Sequence, residues 1–78
     1  MAAAFGKVLR EVRRSKGMSQ EALAAAGNFD RTYPSLLERG LRTPSLSVMF
    51  EIAATLGVHP SELVNETLAL LEKKEPSR

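Results

Sequence analysis

Arg31, Thr32 and Tyr33 stand in a row. A guanidinium, a hydroxyl beside a methyl, and a phenol offer donors, acceptors and an apolar face, the chemistry that meets the edge of a nucleic acid. Other reactive groups are sparse. The chain has no cysteine, so there is no disulfide framework, no cysteine-ligated metal and no thiol nucleophile. The single histidine, His59, has Glu62 three residues on, but it reads as the opening of a helix rather than half of a metal pair. No Gly-rich phosphate loop and no Ser-His-Asp set occurs, and an enzyme is not expected. Asn65-Glu66-Thr67 matches a glycosylation sequon only by chance. No cofactor and no metal is expected.

The elements that must carry the row are legible around it. From Ser19 to Gly40 the chain reads as a short helix, a tight turn and a second short helix opened by Arg31-Thr32-Tyr33. That is a helix-turn-helix arrangement, whose second helix can enter a DNA major groove. Ser19 caps the first of these helices, and Glu21 sits favourably in its first turn. Ala22, Leu23 and Ala26 form its small apolar face. Gly27 and Asn28 tolerate positive φ and make the break. Phe29 follows as an anchor beneath the turn, and Asp30 is expected to cap the next helix, which runs to Arg39-Gly40.

Before this unit, Phe5, Val8, Leu9 and Val12 recur at helical spacing, with Lys7, Arg10, Glu11 and Arg14 on the other side and a stop at Lys16-Gly17. After it, Thr43 or Ser45 caps a fourth helix with apolar positions Leu46, Met49, Ile52, Ala53 and Leu56, ended by Gly57. Pro60 opens a fifth, lined on one side by Leu63, Val64, Thr67, Leu68 and Leu71. The stretch from Glu72 to Arg78 reads as a polar, frayed tail. The expectation is an all-α domain of five helices over residues 1–73, with a polar tail over 74–78.

Seventy-eight residues suffice for one core without staples. No apolar run is long enough to span a membrane, and the N-terminus lacks a secretory signal, so a cytoplasmic protein is expected. The net charge of +2 hides an asymmetry. Residues 1–44 hold eight basic and four acidic side chains, and residues 45–78 hold three and five. One side of the domain should face an anion.

Ser19 through Gly40, then Arg42-Thr43-Pro44-Ser45-Leu46 and Ile52-Ala53-Ala54-Thr55-Leu56-Gly57-Val58, resemble the Xre/Cro family of bacterial and phage repressors over about residues 5 to 64. The resemblance implies a compact lambda-repressor-like fold. A chain this short also resembles the controller proteins of restriction-modification systems. Two departures stand out. The turn has Gly27-Asn28 where the family has Ala-Gly, and Asn28 should preserve it. Pro34 stands where the family has Ile; it lacks an amide, crowds the preceding turn and pushes Tyr33 from the α region. The third helix should therefore start one or two residues late.

Carried over by position, the resemblance implies base contacts from Arg31, Thr32, Tyr33 and Leu36. Arg31 suits guanine O6 and N7; Thr32 suits a base edge or thymine methyl; Tyr33 suits stacking or a phosphate. Leu36 stays open between apolar contact with a base and a place in the core. Arg42 stays open between a phosphate and a base. Ser19, Gln20, Ser35, Arg39, Thr43 and Ser45 are the phosphate candidates. Gln20 is also implied as a partner for the start of the third helix. Arg13 and Glu38 are implied as a structural ion pair that locks the motif to the first helix.

The fifth helix carries more apolar surface than one small core uses, and Phe50 falls off the stripe of the fourth. Such surplus marks an interface. Phe50, Val64, Leu68 and Leu71 are therefore expected at a homodimer contact that sets two recognition helices about 34–36 Å apart on double-stranded DNA. The reading is a sequence-specific regulator on palindromic operators, with no membrane partner and no small-molecule effector. The alternative is an antitoxin or adaptor of the same fold whose main partner is a protein.

Overall fold

A computed structural model of the chain describes residues 1–74, and within them every regular element is an α-helix: α1 (Ala2–Ser15), α2 (Gln20–Gly27), α3 (Tyr33–Glu38), α4 (Leu46–Leu56) and α5 (Pro60–Lys74). The expected tail residues 75–78 lie outside the described residues. The polar stretch expected to fray from Glu72 is helical as far as Lys74, because α5 continues through it.

Each helix supplies part of one core. Phe5, Val8 and Leu9 come from α1, Leu23 from α2, Leu37 from α3, Ile52, Ala53 and Leu56 from α4, and Leu63 from α5. α1 lies against both α3 and α5, while α2 packs on α3 and α4. The apolar spacing of α1 thus becomes the wall on which the recognition unit rests. Two local readings change. In α2 the buried residues are Leu23 and Ala24, and Ala22 and Ala26 are exposed, because only the side towards α3 and α4 is covered. In α4 Leu46 is exposed at the first turn, outside the stripe of Ile52, Ala53 and Leu56.

The helix ends follow from side-chain caps and left-handed residues. Ser19 Oγ accepts from the Ala22 amide at 3.0 Å, and Ser45 Oγ accepts from the Val48 amide at 3.1 Å, so Ser45 rather than Thr43 is the cap. Glu62 reaches back to accept from the His59 amide at 2.9 Å, which gives this carboxylate a helix-opening role. Asn28 takes φ 57° and ψ 41°, so the turn between α2 and α3 closes without a glycine at that position. Gly40 takes φ 74°, and the Gly40 and Leu41 amides return to the Leu37 and Leu36 carbonyls at 3.0 and 2.9 Å. This paired closure ends α3 abruptly.

Asp30 does not cap α3 directly. Its carboxylate accepts from the Thr32 amide at 3.2 Å and the Thr32 hydroxyl at 2.6 Å, and its carbonyl accepts from the Tyr33 amide at 3.0 Å. A separate turn therefore precedes the helix, which starts at Tyr33 with Pro34 in its first turn. Proline there has no intrahelical donor to lose. The late start expected of Pro34 is what the backbone adopts.

Gly6 fixes how closely α1 can approach α3. A Cβ at residue 6 would lie 2.5 Å from the Leu37 carbonyl oxygen and 2.6 Å from that of Glu38. Both obstacles are backbone, so no rotamer change relieves them. Gly6→Ala should lower stability by about 1–3 kcal/mol through overpacking, although alanine gains about 1 kcal/mol in helix propensity. Thermal unfolding followed by circular dichroism measures this; an unchanged or raised midpoint would show that the approach has slack.

Candidate nucleic-acid interface

α3 has an inner and an outer face. Pro34, Leu37 and Glu38 are buried, and Tyr33 is half-buried against the core with its ring 5.8 Å from that of Phe29. The outer face carries Thr32, Ser35, Leu36 and Arg39 at helical spacing. Thr32 and Arg39 are exposed, while Ser35 and Leu36 are half-buried. Leu37 fills the core beside Leu36, so the apolar demand at this turn is met by the neighbour. Arg31 precedes the helix and is 82% exposed in its side chain.

Glu38 holds this helix in place. Its side chain is fully buried at the last residue of α3, where a negative charge opposes the helix dipole. Arg13 answers it with a fork: Nε donates to Oε2 at 2.6 Å and Nη2 to Oε1 at 3.0 Å. Gln20 Nε2 donates to Oε1 at 3.0 Å, and Arg10 Nε lies 3.5 Å from the same oxygen. The third Arg13 donor, Nη1, bonds the Met18 carbonyl at 2.8 Å. One carboxylate thus gathers α1, the loop before α2, the first residue of α2 and the end of α3.

The two charged groups respond to one another. Burial pushes the Glu38 carboxyl up, but hydrogen bonds from Arg13, Gln20 and Arg10 and the Arg13 charge outweigh it and hold the group below its ordinary value of 4.5. The bond to Glu38 raises Arg13 above its ordinary value against the effect of burial. On the surface, the Thr32 hydroxyl and then its amide hold Asp30 below its ordinary value of 3.8.

Gln20 therefore stands at the end of α3 rather than its start, half-buried and bonded to Glu38. Ser19 and Ser45 are exposed with their hydroxyls accepting helix amides, so each retains a hydroxyl proton to donate. Ser45 Oγ also lies 3.3 Å from Ser47 Oγ. Arg42 and Thr43 are exposed in the loop between α3 and α4.

Arg10 and Arg31 also make contacts that were not read from the sequence. Arg10 joins Glu38; its signal was the three-residue spacing from Arg13, one helical turn away. Arg31 Nη2 lies 3.3 Å from Glu21 Oε2, a pairing across the turn with no spacing rule to announce it.

The surplus apolar residues lie elsewhere. Phe50, Val64 and Leu68 are exposed and Leu71 is half-buried. In α5 the inward stripe is Leu63, Thr67 and Leu70, which separates two rows the sequence had merged. Val64, Leu68 and Leu71 line an almost wholly apolar groove of about 240 Å³ with Met1, Phe5, Thr43, Pro44, Met49 and Thr67.

Removing the Glu38 carboxylate should strand Arg13, which is only 8% exposed. Glu38→Ala is expected to cost about 3–5 kcal/mol in urea unfolding at pH 7. Because the folded pKa is depressed, this stabilisation is fully present above about pH 4.5 and is lost as pH falls through the folded value. The stability gap between the native protein and Glu38→Gln should therefore narrow with acid below pH 4.5. A gap constant from pH 7 to pH 3 would contradict the ionised assignment.

Comparison with known proteins adds the family. The helix-turn-helix family model matches residues 9–63. The control protein C.BamHI of Bacillus amyloliquefaciens is 45% identical over 64 residues, covering 81% of this chain and 79% of its own. An HTH-type transcriptional regulator of Sinorhizobium fredii, y4dJ, is 42% identical over 62 residues, covering 80% of each chain. The crystal structure of the restriction-modification controller protein C.AhdI from Aeromonas hydrophila superposes with a TM-score of 0.77 at 44% identity, covering 80% of this chain and 94% of that one. No described helix is long and apolar enough to cross a membrane. The matched span runs from Leu9 in α1 to Leu63 in α5 and contains the whole α2–turn–α3 unit with its Glu38 lock. The chain belongs to the helix-turn-helix family of Xre/Cro type, and it is a non-enzymatic, DNA-binding transcriptional regulator.

Proposed function

We propose that this regulator binds palindromic operators in the cytoplasm as a homodimer, reading each half-site with the outer face of α3. The observation that carries this reading is the division of α3 into an inner face fixed by Leu37 and Glu38 and an outer face free to meet a major groove. Arg31, Thr32, Tyr33, Leu36 and Arg42 are the base-reading set. Arg31 contacts guanine, Thr32 and Leu36 meet a base edge or thymine methyl, and Tyr33 offers its phenol edge while its ring leans on Phe29. Ser19, Gln20, Ser35, Arg39, Thr43 and Ser45 hold phosphates on either side. Gln20 can do so with its second amide proton while the first stays on Glu38.

The dimer forms through the groove of α5 with Phe50, Val64, Leu68 and Leu71. Two self-complementary apolar faces bury one another, as a two-fold contact requires. The domain acts without a small-molecule effector, through its own concentration. Two relatives are control proteins and one solved relative is a restriction-modification controller protein, which supports restriction-modification genes as the regulated class.

Titration against a duplex selected from a random pool by the protein itself tests the reading. With about 6–10 phosphate contacts, affinity should fall roughly 10³–10⁵-fold between about 50 and 200 mM salt, with preference over random duplex retained. Arg31→Ala should cost about 1–3 kcal/mol on the selected duplex and relax one base position. Equal binding of both duplexes would overturn the specific reading.

Sedimentation tests the assembly. Leu68→Glu, at an exposed position, should leave the fold intact, give a monomer and weaken binding to a two-half-site duplex at least about tenfold. Native protein that stays monomeric at high micromolar concentration would count against the dimer.

A further inference from the structure

Glu21 is an acid in an unfavourable place for a DNA-binding surface. It lies in the first turn of α2, next to Gln20, on the basic half of the chain. Its carboxylate is 75% exposed and accepts from Arg31 Nη2 at 3.3 Å. The contact spans ten residues and bridges the two arms of the motif across the turn.

Stability does not account for the pairing. An ion pair this exposed contributes little to folding, because water screens it and two long side chains must be held still. Near phosphates, a carboxylate also costs affinity by repulsion. Beyond the helix-dipole benefit of its first-turn position, its effect lies in where it leaves the guanidinium. Arg31 has four rotatable side-chain bonds and no other described partner that would fix it. A single bond uses one of the two Nη2 protons and restrains the plane, while the other Nη2 proton and its neighbour on Nη1 or Nε keep a fork for a second acceptor. A guanidinium whose plane is already set loses less rotamer freedom when it meets the O6 and N7 of guanine.

We infer that Glu21 is a positioning residue for base reading: it orients Arg31 towards a guanine edge and thereby exchanges overall affinity for discrimination. The inference rests on the assignment of Arg31 as a base-reading side chain. Phosphate repels Glu21 on every sequence alike, whereas a prepositioned Arg31 is rewarded only where guanine is present. Wrong sequences therefore suffer the repulsion without the compensation.

The test compares native protein, Glu21→Ala, Arg31→Ala and the double variant on the duplex selected by native protein and on random duplex. Glu21→Ala should bind random duplex as well as native protein or better. Its ratio of selected to random affinity should fall about two- to fivefold, the range of an exposed charge pair. Adding Glu21→Ala to Arg31→Ala should change that ratio no further. Thermal unfolding should place Glu21→Ala within a few degrees of native. A parallel loss on both duplexes would make Glu21 a structural residue and overturn the inference. An unchanged ratio in Glu21→Ala, with a clear loss in Arg31→Ala, would overturn the inference alone. If Arg31→Ala itself keeps the ratio, the base-reading assignment of Arg31 falls, and this inference with it.

Discussion

A carboxylate buried at the end of a short helix is the constraint around which this domain is organised. Glu38 sits where the helix dipole is negative and where water does not reach its side chain. Left alone it would be untenable. Arg13 supplies two donors from α1 and Gln20 supplies one from the first residue of α2. The recognition helix is only six residues long, too short to be stable by itself. It is helical because its inner side is clamped: Leu37 in the core, Glu38 on Arg13, and the carbonyls of both residues against Gly6. A buried ion pair is weak support for stability in general, since an apolar substitute can do as well. Here its directional fork fixes the rotation of α3, and rotation decides which side chains face outward.

Proline in a recognition helix looks disruptive, and the backbone resolves it by division of labour. Asp30 closes its own turn through the Thr32 amide and hydroxyl, and the helix begins beyond it at Tyr33. Pro34 then occupies a first-turn position that needs no donor. The consequence for reading is positional. Arg31 and Thr32 precede the first residue of α3, and each side chain meets a carboxylate there, Glu21 and Asp30 respectively. The Thr32 hydroxyl proton is committed to Asp30, which leaves that oxygen as an acceptor towards any base edge.

Much of this was legible in the sequence because it follows from period and punctuation. Phe5, Val8 and Leu9 announced α1, Ser19 its neighbour's cap, and Asn28 and Gly40 the turns, each by local chemistry that tertiary context did not override. Arg13 and Glu38 could be paired from family resemblance, and they stand in contact. What was not legible depends on which side of a helix finds a neighbour. In α2 the covered residue is Ala24, not Ala22 or Ala26, because α3 and α4 arrive from one side. In α5 apolar residues occur all round, so period alone could not separate the inward row of Leu63, Thr67 and Leu70 from the groove row of Val64, Leu68 and Leu71. The bond from Gln20 to Glu38 and that from Arg31 to Glu21 cross between elements, and no spacing encodes them.

The shortness of α3 also bears on the proposed pairing through the apolar groove of α5. A reading edge of four or five side chains discriminates among few base pairs, and each mismatch costs about 1–3 kcal/mol. A genome offers about 10⁶–10⁹ competing sites, more than one such edge can reject. Longer recognition would need a longer helix, yet the Glu38 lock, the Gly40 turn and Pro34 bound this one at both ends. The proposed dimer offers another route: a second copy would add its own reading free energy without altering α3. The groove of α5 and the exposed Phe50 of α4 lie on helices that carry none of the proposed base-reading set, so pairing there would leave the outer face of α3 unoccupied. In the proposed dimer, the apolar face of α5 would answer the limit that the Glu38 lock sets on what one protomer can read.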